Sequence, residues 1–231
     1  MFRFPLKSQE MAEESKISKR RVSVHQLDGM MRDLKMEMFD VLLFVNNVSK
    51  ISITEIDRIE KLAEFYSVEV VMTQEDERIR QCFADYMNQV EKQAKHEDFL
   101  PTSIQPKKCI YTMTLRDSAG EEETWLIVQQ VGFDKPVEKS IVEALREKSL
   151  GMLPRGGVAC LLSSNRPSEQ RKDKEGKAYC FLPLPFKTNL PVYINGHFAL
   201  DHEARRNLWR DEAGGYRSDW NKALLDRKSV V

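Results

Sequence analysis

The chain has 231 residues, 41% hydrophobic and 31% charged, with a formal net charge of zero. That length and apolar content suffice for one or two domains with a sizeable core. The balanced charge offers no basic stripe for nucleic acid. Apolar runs reach only five residues, as in Val41–Val45, far too short to span a bilayer, so no membrane partner is expected.

After Met1 come Arg3, Lys7 and polar residues, with no apolar segment of the signal-peptide kind. A cytoplasmic protein is the default expectation. Residues 7–21 are polar, and the cluster Lys19-Arg20-Arg21 reads as part of a linker or solvated helix rather than a localisation signal. Leu27 to Val45 predicts a helix: Leu27, Met30, Met31, Leu34, Met38, Val41, Leu42 and Val45 recur at three- and four-residue steps. Such a stripe is read as core, with an adaptable methionine-rich binding face as the second reading.

Val48–Ile56 alternates, with Ile51 and Ile53 on one face. Asp57–Ala63 stays ambiguous, since Ile56, Ile59, Leu62 and Ala63 also fit helical spacing. Thr73-Gln-Glu-Asp76 is a helix start with acidic residues in its first turn. Ile79, Cys82, Phe83, Tyr86 and Val90 carry the stripe of that helix. Its polar tail, Glu91–Asp98, leads to a loop at Pro101 and Pro106. Cys109–Leu115 and Thr124–Val131 predict a hairpin around Asp117-Ser-Ala-Gly120, with glycine at the turn. Pro136 opens a short helix to about Lys148, and Val158–Leu162 reads as a buried strand. Residues 163–176 are a charged loop, exposed and mobile by composition.

Ala178–Leu182 and Pro191–Ile194 are strand-like, and Asn195-Gly196 is a tight-turn pair flanked by apolar residues, among the strongest short hairpin signals. The expected structure is a hairpin turning at Asn195-Gly196 and returning through Phe198 and Leu200. Asp201 then caps a basic amphipathic helix ending near Trp209. After Gly214-Gly215, Ser218 caps a last helix with Trp220, Leu224 and Leu225 on one side. Strands mixed with hairpins and helices give an α+β class, in a mixed two-layer arrangement of sheet and helices.

Cys82, Cys109, Cys160 and Cys180 are widely spaced among apolar neighbours and read as buried thiols rather than disulfides or a zinc site. His197 and His202 are five apart with no cysteine nearby, so a structural role is favoured over a ligand role and no metal is expected. No Gly-x-Ser-x-Gly or His-Glu-x-x-His motif is present.

Several segments together resemble the large internal repeats of the sacsin family. They are Phe2-Arg-Phe-Pro-Leu6, Ile51-Ser-Ile-Thr-Glu-Ile56, Leu153-Pro-Arg-Gly-Gly-Val-Ala159, Phe181-Leu-Pro-Leu-Pro185, the run Leu190–Leu200, Arg205-Arg206-Asn207-Leu208-Trp209 and Arg217–Leu225. The resemblance implies a middle part of such a repeat, downstream of an ATP-binding domain similar to that of heat shock protein 90. Residues 1–24 would be the end of that domain plus a linker. Residues 25–150 would form the middle α+β region, and 151–231 a hairpin-and-helix region ending in a truncated helix. A hairpin through Phe65–Val71 also follows. The layout of Val192–Trp209 is similar to the ribosomal-protein-S5-like transducer domain of MutL proteins, a likeness of fold that says little of activity.

The implied function is non-catalytic: coupling an adjacent ATPase domain to protein clients or co-chaperones. ATP and magnesium would act only through the upstream domain, so no cofactor belongs to this chain. Glu203-Ala-Arg-Arg-Asn207 has the Glu-x-x-x-Asn spacing of that ATPase group, but such a two-residue pattern arises readily by chance. The accompanying Asp-x-Gly-x-Gly and glycine-rich lid do not occur. Related chaperones reach the terminal phosphate with a basic middle-domain residue; the candidates here are Arg155, Arg205 and Arg206. Phe181, Leu182, Leu184 and Phe186 are the candidate client or partner surface, on an extended Leu-Pro-Leu-Pro run poor at ladder bonding. Other readings are a scaffold without client binding, or a transducer domain lending a basic residue to a neighbouring ATPase site.

Overall fold

A computed structural model describes residues 7–56, 62–96, 99–134, 142, 152–167, 176–201, 207–209 and 215–225. The chain forms two compact units, residues 1–39 and 40–231. The first unit contains a short helix, α1 (Gln9–Glu14), capped by the Ser8 hydroxyl on the amide of Met11. It also holds most of α2 (Val24–Leu42). The apolar stripe expected to be core is split along α2: Met38 and Leu42 are buried, whereas Leu27, Met30 and Leu34 are exposed. Phe2–Leu6, expected as a strand, lies outside the described residues.

The second unit is built on one mixed sheet of eight strands. They are β1 (Lys50–Ile56), β2 (Leu62–Val71), β3 (Lys107–Asp117), β4 (Glu122–Val131), β5 (Arg155–Ser164), β6 (Lys177–Cys180), β7 (Leu182–Lys187) and β8 (Tyr193–Gly196). The spatial order is β1-β2-β3-β4-β5-β8-β6-β7, antiparallel except for β6 against β8. With its helices this is the α+β class. The sheet runs unbroken across residue 150, so the expected boundary there falls inside one body. It crosses because the strands on either side, β4 and β5, pair along nine registers from Glu123↔Ser164 to Val131↔Arg155.

Local chemistry explains most elements. β1 and β2 form the hairpin, with Ile51 opposite Val68. The helix α3 (Gln74–Gln93) starts at Thr73, whose hydroxyl accepts from the Asp76 amide at 3.1 Å. Asp76 in turn accepts from the Thr112 amide of β3 at 2.9 Å. The β2–β3 ladder runs only from Thr114 to Asp117, so the carboxylate satisfies a strand amide beyond the reach of β2. The β3–β4 turn is held by Asp117 Oδ1, which accepts from the amides of Ala119 and Glu121. Gly120 supplies the left-handed φ of +87° that the turn requires.

The expected hairpin at Asn195-Gly196 is not formed. Both residues lie inside β8, paired with Gly157 and Gly156 of β5. Two interactions outweigh the local turn preference. Asn195 is buried, and its Oδ1 accepts from the Phe181 amide at 2.9 Å. Gly196 lies under the Phe198 ring, which a Cβ would meet at 2.8 Å. The pair is Asn-Gly for reasons of hydrogen bonding and space, not of positive φ. Phe198 and Ala199 accordingly form no returning strand, and Leu200 makes a single bridge to Leu208. The amides of Asp201 and Trp209 donate to the carbonyls of Asn207 and Ala199, so the expected helix does not extend to Trp209. Residues 202–206 lie outside the described residues, as does the helix expected from Pro136, apart from Val142.

The last helix, α4 (Tyr216–Leu225), starts two residues before the expected cap Ser218. It docks through two neighbours. The Trp220 indole donates to the His197 carbonyl at 2.8 Å. Asn221 accepts from the Ala199 amide at 2.8 Å and donates to its carbonyl at 2.9 Å, as a strand would. Trp220, Ala223, Met152 and Ala199 make one apolar cluster, flanked by Phe133. Ala178, Leu184 and Phe198 make a second, against Ile194 and Phe186.

Candidate functional site

Alternation along β3 and β4 turns Cys109, Tyr111, Met113, Trp125, Ile127 and Gln129 to one buried face. Gln129 is therefore a polar residue forced inward, and it must be satisfied there. Its amide nitrogen donates to the Tyr111 hydroxyl at 2.8 Å, and its oxygen accepts from Arg155 Nη2 at 3.1 Å. Burial lifts the pKa of Tyr111 to about 12 and that of Cys109 to about 11, so both stay protonated near neutrality.

Arg155 is only 5% exposed. Its guanidinium carbon stands 5.0 Å from the centroid of the Phe181 ring. No carboxylate reaches ion-pair distance among the described residues, and its Nε has no acceptor. Burial pushes its pKa down from the ordinary value, opposed by the charge of Glu91. Of the sequence-predicted residues, Arg155 and Phe181 are thus brought together. The guanidinium is buried beneath the Phe181 ring. Arg205 and Arg206 lie outside the described residues.

Phe181 is the apex of the tight β6–β7 hairpin, with Cys180 opposite Leu182. Its φ is +64°, a left-handed conformation that is strained for an aromatic residue. The Asn195 side chain on its amide and the ring contacts to Arg155 and His197 hold it there. Phe181→Gly and Phe181→Ala lose the same ring, but only glycine relieves the backbone. We expect the glycine variant to be the more stable by about 1 kcal/mol in urea denaturation. Equal stability would show that the strain is absent in solution.

The four residues expected to form a client surface differ in exposure. Leu182 is exposed, Leu184 is buried in the cluster with Ala178 and Phe198, and Phe186 packs on that cluster. The run extended between prolines is a paired edge strand, because Pro183 and Pro185 still let Leu182 and Lys187 register with β6.

His197 lies edge-on to the Phe181 ring. Its Nδ1 accepts from the Leu153 amide at 3.1 Å, which places the proton of the neutral ring on Nε2. Burial, then the charge of Arg155, lowers its pKa to about 4. The unfolded ring binds a proton below its ordinary value of 6.5 while the folded one does not, so stability is lost as pH falls from 6.5 towards 4. The loss is about 3 kcal/mol. Chemical denaturation at a series of pH values should show this slope for the native chain, and His197→Gln should flatten it. An unchanged slope would remove the histidine from the explanation.

A second polar cluster escaped sequence reasoning. Lys177 pairs with Asp40, and its ammonium lies 5.8 Å from the Tyr193 ring. Glu123 is buried and pairs with Arg166 at 2.9 Å while accepting from the Trp125 indole. Among the described residues, no three of His, Cys, Asp or Glu gather as they would to hold a metal. No described helix is long and apolar enough to cross a membrane.

The opposite face of the central strands is unusual for an antiparallel sheet. Ile110 faces Val128, and Val128 faces Val158, in one row across β3, β4 and β5. Ile110 and Leu162 are more than half exposed, at 57% and 55%. A face turned to water is ordinarily polar.

The family model described as Sacsin domain matches residues 1–66. Human sacsin is 40% identical over 230 residues, which covers 97% of this chain and 5% of the human protein. No solved structure matches. On that identity and coverage the chain belongs to the sacsin family.

Proposed function

We propose that this chain is a non-catalytic segment of a sacsin-like molecular chaperone, and that its open sheet face binds apolar stretches of unfolded protein clients. The single supporting observation is the outer row Ile110, Val128 and Val158, with Leu162 beyond it. Trp125-Leu-Ile-Val128 in β4 and Val158-Ala-Cys-Leu-Leu162 in β5 are apolar on both faces, the pattern of strands covered on both sides. In this reading the client supplies the second cover, in place of the surface first expected at Phe181–Phe186. An adjacent heat-shock-protein-90-like ATPase, holding ATP and magnesium, would drive release, with co-chaperones in the cytoplasm as further partners. The Asn-Gly hairpin that suggested an S5-like transducer is not formed, so that likeness gives no support.

The test is suppression of thermal aggregation of a model client by the purified chain without nucleotide. We expect dose-dependent protection at near-stoichiometric ratios. Ile110→Glu with Leu162→Glu should remove more than half of it with an unchanged melting temperature, because both side chains point to solvent. A folded native chain that gives no protection would sink the client reading and leave a scaffold role.

A further inference from the structure

We propose that Arg155 and His197 form the base of an oxyanion-binding site, taking a phosphate or carboxylate group, with Phe181 as its cover. Three observations carry it independently. Arg155 is buried with no carboxylate partner among the described residues and with Nε lacking an acceptor. A guanidinium cannot shed its charge, and an uncompensated buried cation is among the most destabilising features a fold can retain. The neutral partners present, Gln129 Oε1 and the Phe181 face, leave the planar fork that recognises two-oxygen anions incompletely used.

His197 supplies a second donor. Its Nδ1 is engaged by the Leu153 amide, so Nε2–H is its remaining donor, and no described acceptor meets it. The peptide frame also ties the two residues together, because the His197 amide donates to the Arg155 carbonyl at 3.1 Å. Phe181 contacts both: its ring lies 5.0 Å from the guanidinium and 5.6 Å from the imidazole centroid. The ring thus lies over the cation and beside the imidazole, as a cover to both. The site is distinct from the open sheet face and does not depend on client binding.

The test uses NMR of the full chain, following the Arg155 Nε–H and the His197 ring while inorganic phosphate or acetate is added, with chloride as the ionic-strength control. We expect saturable shifts at both residues with at least one oxyanion and none with chloride. Stronger phosphate binding would point to phosphorylated ligands, and stronger acetate binding to carboxylates. Phe181→Gly removes the cover and should tighten binding about tenfold, since opening no longer breaks the ring contact. Arg155→Met should abolish the shift at His197. If Arg155→Met fails to fold, Phe181→Gly still decides. Absence of saturable shifts in both the native chain and Phe181→Gly would overturn the site and leave Arg155 as a packing residue.

Discussion

Replacing Trp220 with alanine is expected to destabilise the second unit by about 4 kcal/mol, against the roughly 5–15 kcal/mol that holds a typical domain folded. The side chain is fully buried, with its ring edge-on to Phe133 at 6.2 Å and in the cluster of Met152, Ala199 and Ala223. Truncation removes that burial and also leaves the His197 carbonyl without the indole donor. Trp220→Phe separates the two terms. It keeps most of the packing and loses the hydrogen bond, so its cost should be about 2 kcal/mol. The measurement is urea denaturation followed by near-ultraviolet circular dichroism. A cost under about 1 kcal/mol for the alanine variant would mean that α4 is not docked in solution.

Docking of α4 shows what a single sequence reveals and what it hides. The apolar side of the last helix, with Trp220 and Leu224, is legible because helical spacing is local. The clamp of Asn221 on Ala199 is not, because its partner is 22 residues away and lacks any side-chain signature. The strands at Cys109–Leu115 and Thr124–Val131 were readable from alternation and from Gly120. The Asn195-Gly196 turn misled for the converse reason. A strong local signal was overruled by Phe181 and Phe198, contacts that depend on the assembled sheet.

The candidate site was legible only in part. Arg155 stood out as a cation beside Gly156-Gly157, and Phe181 as part of an apolar run, but nothing in the sequence pairs them. Gln129 and Tyr111 could have been found as polar groups at inward positions of predicted strands. Glu123 follows the same parity as Trp125 and Ile127, so a buried carboxylate was predictable from alternation, although its partner Arg166 was not.

That buried pair gives the second large effect. Glu123→Leu is expected to cost about 3–5 kcal/mol, because it removes the 2.9 Å carboxylate partner of a guanidinium whose side chain is 5% exposed. Glu121, at 3.4 Å from Arg166, is a weaker substitute, being itself partly solvated. The Trp125 indole also loses its acceptor. The double variant Glu123→Leu, Arg166→Met should recover to within about 1 kcal/mol of the native chain, since two desolvated charges leave together and apolar volume replaces them. Desolvation, not attraction, would then dominate the single-variant loss. Burial already lifts the pKa of Glu123 despite the opposing charge of Arg166, which reflects the same balance. A double variant as unstable as Glu123→Leu alone, measured by the same urea transition, would show instead that the ion pair adds net stability where β4 meets the end of β5.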